Sequence, residues 1–334
     1  MSIETVALLD DMPEASRQVV LDVFGPRFRL RFVRDDSAEA KHEAAVGADA
    51  LLTMWGRVDA YTIRWAAGAK VIQKLGVGVD KIDVAAASAH GITVLKAAGI
   101  NAGAVAELAV LLTLGVGRRL AKALDAARTG QSHKEALRAE SFQLLGKTVG
   151  LLGLGNIGQA VAHRLSGFGV SIQYFDLRRA PADVEDACRA TFVDLDELIR
   201  TSDVISLHLP STPRTDHIVD AAFLKNVKPG LILVNTARGS LVDEGALLNA
   251  LRDGTVLGAG LDVTDPEPPP ADSPLLRHDR VLVTPHVGGA VANNFPRVVE
   301  RAFRNVTAVL DGRPLPDPAD AVPTPAPNVK DVLA

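Results

Sequence analysis

Short apolar runs rich in Val, Ile and Leu alternate along this chain with longer segments whose apolar residues recur at helical spacing. Continuous apolar runs are typical of strands buried on both faces, and the helical spacing is typical of helices that cover a sheet. The alternation therefore predicts a parallel sheet wrapped by helices. The predicted strands are residues 5–9, 28–32, 50–53, 71–75 and 93–95, followed by 148–152, 172–175, 204–209, 231–234, 258–263 and 281–284.

Three segments with helical spacing indicate how these strands are grouped. Residues 14–24 form the first predicted helix, and residues 101–129 form one long helical stretch that separates two series of strands. The helical pattern at residues 294–310 has no strand after it. We therefore expect an α/β protein with two doubly wound parallel-sheet domains, in which the last helix returns to the first domain and makes that domain discontinuous.

Length and composition agree with this organisation. The 334 residues correspond to two domains at about 150 residues each. The composition, with 47% hydrophobic and 23% charged residues, suits a packed interior. The net charge of −4, without a basic block, argues against nucleic acid as the primary partner. Cys188 is the sole cysteine, so one chain builds neither a disulfide nor a cysteine-based zinc site, which fits a reducing cytoplasmic setting.

The ends and apolar stretches of the chain predict no membrane partner. Residues 1–4 lack the basic and apolar regions of a signal peptide, and the longest apolar stretch, residues 108–117, is far shorter than the roughly 20 residues of a membrane span. No metal-binding pattern such as H-E-x-x-H occurs, so no metal is expected. His208, inside an apolar run, is predicted to be a hydrogen-bonded core residue. Cys188, in a loop-like acidic segment, is not expected to be a nucleophile.

A glycine fingerprint, G-x-G-x-x-G, occupies residues 153–158, directly after a predicted strand and at the start of a helical pattern. Gly153 allows the tight turn, Gly155 lets the backbone approach a pyrophosphate, and Gly158 permits close packing of the helix on the strand. The phosphates would lie at the helix N-terminus, at Asn156 and Ile157. This context predicts a dinucleotide site.

An acidic residue that suits the adenosine ribose follows the next predicted strand. Asp176 lies 18 residues beyond Gly158, close to the spacing of about 20 expected for this role. Its carboxylate would accept hydrogen bonds from the ribose and repel a 2′-phosphate, which favours NAD. Arg178 and Arg179 stand beside it, and a guanidinium there would accept a 2′-phosphate, so the alternative of NADP stays open.

Three strands of the second series are followed by residues that suit hydride transfer to a carbonyl. Arg238, Glu267 and His286 follow the predicted strands 231–234, 258–263 and 281–284, and ligands of doubly wound sheets bind at that edge. A cation binds a substrate carboxylate and polarises the carbonyl, an imidazolium donates a proton, and a carboxylate orients the imidazole and stabilises its protonated form. Each residue taken singly also has a simpler interpretation. Arg238 could be a surface cap, Glu267 a solvated loop residue, and His286 a loop histidine bonded to the backbone.

Several separate motifs together carry a family resemblance. They are residues 74–80 (KLGVGVD), 101–107, the glycine fingerprint, 235–239 (NTARG), 261–268 and 284–289 (TPHVGG). With these motifs the chain resembles the D-isomer-specific 2-hydroxyacid dehydrogenases, the family of D-3-phosphoglycerate, glyoxylate/hydroxypyruvate and D-lactate dehydrogenases. The resemblance covers nearly the whole chain and is closest over residues 71–310.

The resemblance implies roles for individual residues. Arg238 would bind the substrate, Glu267 would pair with the imidazole, and His286 would donate the proton. The backbone N–H groups of Val77 and Gly78 would hold the substrate carboxylate. The residues expected at the cofactor are Gly153, Gly155, Asn156, Ile157, Gly158, Asp176, Leu209, Pro210, Thr215, Thr236, Ala237, Asp262, His286 and Gly288, with Asp262 near the nicotinamide carboxamide.

The resemblance also implies the domain boundaries. A Rossmann cofactor domain, residues 102–289, would be inserted in a flavodoxin-like substrate domain formed by residues 1–101 and 290–320. A proline-rich tail, residues 321–334, would follow, and Asn101 would lie at the hinge between the domains. The long helix over residues 101–120 would form a homodimer interface.

Departures from particular relatives narrow the activity. Glu267 stands where formate-oxidising relatives carry glutamine, and Val77 stands where phosphite-oxidising relatives carry lysine, so neither activity is expected. The chain end predicts no regulatory domain of the long phosphoglycerate dehydrogenases, while a short form stays possible. Arg57 lies in the loop that would face the substrate side chain, where it would either bind a second anionic group or be a solvated cation.

We therefore expect an NAD-dependent D-2-hydroxyacid dehydrogenase that reduces a small 2-oxo acid. An NAD(H)-sensing binding protein is an alternative, because the family includes transcriptional co-repressors on the same scaffold. An unrelated two-domain NAD enzyme, such as an alanine dehydrogenase, would lack the order Arg, Glu, His seen here. Pocket shape does not follow from one sequence, so the identity of the acid stays open.

Overall fold

The computed structural model describes residues 3–323, and the chain divides into two compact units. The described parts of Met1–Asn101 and Ala292–Ala334 form the first unit, and Ala102–Val291 forms the second. Each unit has its own parallel β-sheet covered by helices, so the predicted α/β fold class is confirmed. Residues 324–334 of the predicted tail lie outside the described residues. No helix among residues 3–323 is both long and apolar enough to cross a membrane.

The strands and α-helices are numbered in chain order. They are β1 Thr5–Leu8, α1 Glu14–Phe24, β2 Arg29–Phe32, α2 Ala38–Ala45, β3 Ala50–Thr53, α3 Ala60–Trp65, β4 Val71–Lys74, α4 Val84–Ala89, β5 Thr93–Leu95, α5 Ala102–Gly117, α6 Leu120–Arg128, α7 Lys134–Glu140, β6 Thr148–Leu152, α8 Asn156–Leu165, β7 Ser171–Phe175, α9 Ala182–Cys188, β8 Ala190–Phe192, α10 Leu195–Thr201, β9 Val204–Leu207, α11 Ala221–Lys225, β10 Leu231–Asn235, α12 Glu244–Asp253, β11 Val256–Leu261, α13 Pro274–Arg277, β12 Val281–Val283 and α14 Phe295–Leu310.

The first unit contains a five-stranded sheet in the order β2-β1-β3-β4-β5, with all pairs parallel. Helix α14 returns to this sheet, as the sequence predicts, and packs its buried apolar face against it and against α1. Phe303 of α14 meets the ring of Phe24 of α1 edge to face, with 5.3 Å between the ring centroids. Helices α1 and α14, near the start and the end of the described residues, therefore share one core.

The second unit contains a seven-stranded parallel sheet in the order β12-β11-β10-β9-β6-β7-β8. Helix α5 lies very close to β11 because that strand carries glycines. A Cβ added at Gly260 would lie 2.7 Å from the Cβ of Leu112, and one added at Gly258 would lie 2.6 Å from Cγ1 of Val116. The absent side chains let the helix backbone approach the sheet.

The single helix predicted over residues 101–129 is wrong, because α5 ends at Gly117 and α6 begins at Leu120. Arg119 between them has a left-handed backbone, with φ of 52°. Its side chain is only 3% exposed and pairs with Glu140 at 3.0 Å and with Asp279 at 2.8 Å. A buried guanidinium needs such partners, and they draw the chain out of the helical path.

Three smaller expectations also differ from the structure. Cys188 is the last residue of α9 rather than part of a loop, and burial raises the pKa of its thiol. His208 follows β9, and its Nε2 is buried without a hydrogen-bond partner. Strand β8 was absent from the predicted strands because Ala190, Thr191 and Phe192 do not form a continuous apolar run.

The close packing of α5 on β11 yields a stability prediction. We expect Gly260→Ala to lower the free energy of unfolding by about 1–3 kcal/mol, because the new methyl group overlaps Leu112. Gly167→Ala is the matched control, since a Cβ there meets nothing within 4 Å, and we expect it to change stability by less than about 1 kcal/mol. Urea unfolding of both variants measures the difference, and equal stabilities would contradict the packing argument.

Candidate active site

The glycine turn between β6 and α8 is shaped by close backbone contacts. Gly153 has φ of 98°, and a Cβ there would lie 2.7 Å from the carbonyl oxygen of His208. A Cβ on Gly158 would lie 2.2 Å from the carbonyl oxygen of Gly153. Gly155, at the N-cap of α8, has open space around its Cα and supplies no side-chain cap. The turn therefore presents the N-terminus of α8 to a ligand that carries negative charge.

Asp176 lies beside this turn, directly after β7. Its Oδ2 accepts a hydrogen bond from the N–H of Leu154 at 2.9 Å, and its Oδ1 accepts one from the N–H of Leu177 at 2.7 Å. Each carboxylate oxygen has a second lone pair, so the side chain can still accept hydrogen bonds from a ribose. The predicted ribose-binding acid is thus next to the fingerprint.

The two arginines near Asp176 have different surroundings. Nε and Nη2 of Arg179 donate to the two carboxylate oxygens of Glu185, each at 2.9 Å. The hydroxyl of Tyr174 donates to the same carboxylate at 2.6 Å. These hydrogen bonds lower the pKa of Glu185, with the Arg179 guanidinium as the largest cause. Arg178 is exposed.

His286 and Glu267 form the central contact of the second unit. The distance between His286 Nδ1 and Glu267 Oε1 is 2.8 Å, and the two side chains are 44% and 38% exposed. A carboxylate only accepts hydrogen bonds, so this contact places a hydrogen on Nδ1. Nε2 is then the ring nitrogen available for proton exchange.

The backbone of His286 is held in a left-handed conformation, with φ of 54°. Its N–H donates to the carbonyl oxygen of Asp262 at 2.8 Å. The buried carboxylate of Asp262 accepts hydrogen bonds from the N–H groups of Val287 and Gly288, at 2.9 and 2.8 Å, and from the hydroxyl of Thr284 at 2.6 Å. Asp262 therefore folds the loop after β12 around itself and sets the direction of the imidazole.

Arg238 lies in a tight turn after β10. The buried side chain of Asn235 shapes this turn, because its Nδ2 donates to the carbonyl oxygen of Arg238 at 2.8 Å and its Oδ1 accepts from the N–H of Ala237 at 3.0 Å. A Cβ on Gly239 would lie 2.0 Å from the carbonyl oxygen of Thr264. Only glycine lets the turn that carries Arg238 pack on the loop that leads to Glu267.

The loop from Leu209 to His217 completes this edge of the sheet. The side chain of Leu209 reaches to 3.2 Å from a Cβ built on Gly153. The hydroxyl of Thr215 donates to the carbonyl oxygen of Pro210 at 2.7 Å, so it stabilises the loop itself. The hydroxyls of Ser211 and Ser240 lie 2.8 Å apart and join this loop to the turn after Arg238.

Buried polar atoms at this edge have no partner within the described chain. They include Nε2 of His208 and the hydroxyl of Thr236. Burial lowers the pKa of His208 to about 4, so its imidazole is neutral at physiological pH. Unpaired buried groups are costly, and together with the open glycine turn they fit a ligand that carries several polar groups. A dinucleotide such as NAD meets this requirement.

The predicted substrate residues of the first unit lie at one edge of its sheet. Arg57 follows β3, and Val77 and Gly78 follow the neighbouring strand β4. The buried carboxylate of Asp10 accepts hydrogen bonds from the N–H groups of residues 54–56, and the ammonium of Lys74 donates to the carbonyl oxygen of residue 54. The loop that carries Arg57 is therefore well anchored, while Arg57 itself is exposed.

Sequence reasoning assigned no role to several residues that shape the site. Asn235, Gly239 and Thr284 lie inside or beside the motifs. Asn235 hydrogen-bonds within its own turn, whereas Gly239 and Thr284 contact Thr264 and Asp262, which are distant in sequence. The available signal was an asparagine that ends an apolar run and a glycine that follows the candidate arginine. Within residues 3–323, no three His, Cys, Asp or Glu side chains lie together as metal ligands.

Comparison with known proteins identifies the family. Residues 110–288 match the sequence model of the D-isomer specific 2-hydroxyacid dehydrogenase NAD-binding domain. The chain is 42% identical to a glyoxylate reductase of Thermofilum pendens over 268 residues, which is 79% of each protein. It is 38% identical to a D-3-phosphoglycerate dehydrogenase of Mycobacterium leprae over 95% of this chain and 59% of that protein.

A solved structure gives the same result. The glyoxylate reductase of Paecilomyes thermophila is 30% identical and superposes with a TM-score of 0.85, over 97% of this chain and 99% of that one. The predicted family, enzyme class and cofactor are confirmed. The chain therefore belongs to the D-isomer specific 2-hydroxyacid dehydrogenase family and is an NAD-dependent oxidoreductase.

Proposed function

We propose that this protein reduces a small 2-oxo acid to the D-2-hydroxy acid and that His286 donates the proton. The observation that carries the proposal is the 2.8 Å contact between His286 Nδ1 and Glu267, held on a left-handed loop. The contact directs Nε2 away from the carboxylate and leaves it to exchange a proton. The activities of two relatives, named glyoxylate reductase and D-3-phosphoglycerate dehydrogenase, support the substrate class.

His286 and Glu267 have distinct roles in the proposed reaction. Bound NADH supplies the hydride to the carbonyl carbon. The proton passes from Nε2 of His286 to the carbonyl oxygen, and Glu267 stabilises the imidazolium that donates it. In the oxidation direction the same nitrogen accepts the hydroxyl proton, so the neutral imidazole is then the required form.

Arg238 is the proposed partner of the substrate carboxylate and carbonyl. A guanidinium offers several N–H donors in a planar fork, which suits two oxygens of one substrate. The hydrogen bonds of Asn235 and the close approach at Gly239 keep the Arg238 turn against the segment before Glu267. The N–H groups of Val77 and Gly78 are the proposed second contact for the carboxylate.

For the cofactor, we propose that NAD is preferred over NADP. The phosphates would contact the N-terminus of α8 at Asn156 and Ile157, and Asp176 would accept hydrogen bonds from the ribose. The remaining contacts would come from the strand ends of the same sheet edge: Leu209, Pro210, Thr215, Thr236, Ala237, Asp262 and Gly288. Arg179 is already paired with Glu185, which disfavours its use for a 2′-phosphate.

The exposed leucines of α5 and α6 support a homodimer. Leu111 is 56% exposed, and Leu120 and Leu124 are 39% and 46% exposed. Large exposed apolar side chains on neighbouring helices are typical of subunit interfaces. We propose that a second copy of this chain covers them. No finding supports the alternative of an NAD(H)-sensing binding protein.

The proton-donor role is tested by His286→Asn, which keeps a short side chain that tolerates a positive φ and can still donate to Glu267. We expect kcat with NADH and a 2-oxo acid to fall by about 10²–10⁴-fold while NADH binding survives with a much smaller change in its Kd. The kcat of Glu267→Gln is expected to fall by a smaller factor. Stopped-flow turnover and NADH fluorescence titration measure the two effects.

The matched control for this variant is His133→Asn, because His133 also has a positive φ and an exposed ring. We expect it to retain wild-type turnover. Near wild-type turnover of His286→Asn would contradict the proposed role. If the wild-type protein binds NADH tightly but oxidises it with none of glyoxylate, hydroxypyruvate and pyruvate, the proposed reaction itself is wrong.

Cofactor preference is tested by Asp176→Ser and by the double variant Asp176→Ser/Glu185→Gln. Removal of the carboxylate should weaken the binding of NADH and remove the repulsion of a 2′-phosphate. Both effects raise the ratio of the Kd for NADH to the Kd for NADPH, by about tenfold or more. The double variant also releases Arg179, so its ratio should rise further. Fluorescence titration measures both constants. Wild-type preference for NADPH would show that the arginines decide the cofactor.

The role of Arg57 is tested with 2-oxo acids that do or do not carry a second anionic group. If Arg57 binds such a group, Arg57→Gln raises KM for oxaloacetate by about tenfold and leaves KM for glyoxylate and pyruvate unchanged. Arg64→Gln, an exposed arginine of the same unit, is the control. An unchanged KM for every acid would show that Arg57 is a solvated loop cation.

A further inference from the structure

A cluster of polar side chains is buried in the first unit, away from the residues assigned above. The cluster, named here after Asp320, consists of Gln73, Arg301, Asn305 and Asp320. Gln73, Asn305 and Asp320 are 0% exposed, and the side chain of Arg301 is 23% exposed. Burial of a carboxylate is costly unless several donors satisfy it, so Asp320 requires close hydrogen-bond partners.

The carboxylate of Asp320 accepts three hydrogen bonds. Its Oδ1 accepts from the N–H of Ala98 at 2.8 Å, and its Oδ2 accepts from Nδ2 of Asn305 at 2.8 Å and from Nε of Arg301 at 2.5 Å. The carbonyl oxygen of Asp320 accepts from the N–H of Lys96 at 2.9 Å. One residue near the end of the described chain therefore holds the segment 96–98 at two points.

This segment in turn holds the loop after β4. The N–H of Ala97, between the two points, donates to the carbonyl oxygen of Gly76 at 2.8 Å. Gly76 directly precedes Val77 and Gly78, whose N–H groups are the proposed contacts of the substrate carboxylate. Three hydrogen bonds, made by the N–H groups of residues 96–98, thus connect Asp320 to Gly76, which directly precedes these amides.

The same cluster reaches the loop from its other side. Nδ2 of Asn305 also lies 3.1 Å from Oε1 of Gln73, and Nε2 of Gln73 donates to the carbonyl oxygen of Lys74 at 2.7 Å. Lys74 is the last residue of β4. The loop that carries Val77 and Gly78 is therefore fixed through Lys74 before it and through Gly76 within it.

The Asp320 cluster is not needed to hold the end of the described chain in place. The end of the described chain is already held by a bridge of Ala321 with Leu95 and by a hydrogen bond from the N–H of Val322 to the carbonyl oxygen of Val94 at 3.0 Å. Apolar side chains would fill the same space at lower desolvation cost. What the polar cluster adds is a fixed direction for the peptide groups around residues 74–78.

We propose that Asp320 is a positioning residue for substrate, which orients the amides of Val77 and Gly78 through the segment 96–98 and Gly76. This inference rests on the proposed function, in which those amides bind the substrate carboxylate. Loss of the Asp320 charge would let the loop shift without any change at the cofactor residues, all of which belong to the second unit. Misplacement of substrate-positioning groups by about 1 Å is enough to reduce the reaction rate strongly.

The test is Asp320→Asn, which keeps the size of the side chain but replaces one acceptor oxygen with a donor. We expect KM for the preferred 2-oxo acid to rise by about five- to fiftyfold, with kcat changed less and the Kd for NADH unchanged. The Kd of oxamate for the enzyme–NADH complex, measured by fluorescence quenching, should rise by the same factor. Oxamate binding reports the carboxylate site without turnover.

Asp311→Asn is the matched control. Asp311 follows α14 and pairs with Arg27 and Arg313, yet it contacts no residue of the substrate loop. We expect its KM and oxamate affinity to be those of the wild type. Arg301→Met is the second variant, in case Asp320→Asn fails to fold, and it should raise KM in the same direction by a smaller factor.

The outcomes separate the inference from the proposed function. A lower melting temperature of Asp320→Asn and Arg301→Met with unchanged KM and oxamate affinity would overturn the inference and leave the cluster a purely structural feature. A rise in the Kd for NADH of the same size would also overturn it, because the effect would then be general. A wild-type protein that bound neither a 2-oxo acid nor oxamate would overturn the proposed function, and the inference with it.

Discussion

The buried carboxylate of Asp262 is the contact on which the arrangement of the candidate active site depends. It accepts hydrogen bonds from two consecutive backbone N–H groups and from a threonine hydroxyl, all within the loop after β12. Because these donors converge on one side chain, the loop turns sharply and His286 takes a left-handed backbone. The imidazole then meets Glu267 at 2.8 Å. Without Asp262, the N–H groups of Val287 and Gly288 would lose these acceptors.

Buried or half-buried aspartates serve this purpose repeatedly in the molecule. Asp10, Asp176 and Asp320 each accept from backbone N–H groups of loops that follow strands, as Asp262 does. A carboxylate has two oxygens and about four acceptor sites, so one side chain can order several peptide groups at once. Strand-end loops have few backbone partners of their own. The aspartates therefore make rigid the segments where ligands of parallel sheets bind.

Glycines make the second contribution, because they let these ordered segments lie close together. Gly153 and Gly158 allow the fingerprint turn to contact the end of β9 and itself, and Gly239 allows the Arg238 turn to touch the segment before Glu267. Gly260 does the same for helix α5 on the sheet. In each case a Cβ would overlap a backbone or side-chain atom, so the spacing is set by the absence of a side chain.

Local patterns predicted most of the strands, the returning helix α14 and the fingerprint turn, since apolar periodicity and glycine spacing are properties of neighbouring residues. The candidate residues Arg238, Glu267 and His286 were found because each follows an apolar run. The break in the long helix at Arg119 was missed, because its cause is a pair of ion contacts with Glu140 and Asp279, which lie 21 and 160 positions away.

What the sequence by itself determined is therefore the order of elements, the fold class and the types of side chain at the strand ends. Only the tertiary structure decided how those side chains are held: the donors that gather on Asp262, the Asp320 cluster that joins residues up to 232 positions apart, and the pairing of Ala321 and Val322, in the predicted tail, with the edge of β5. The physical reason is that a hydrogen bond between distant segments forms only once the sheet has brought them together, so no local pattern records it.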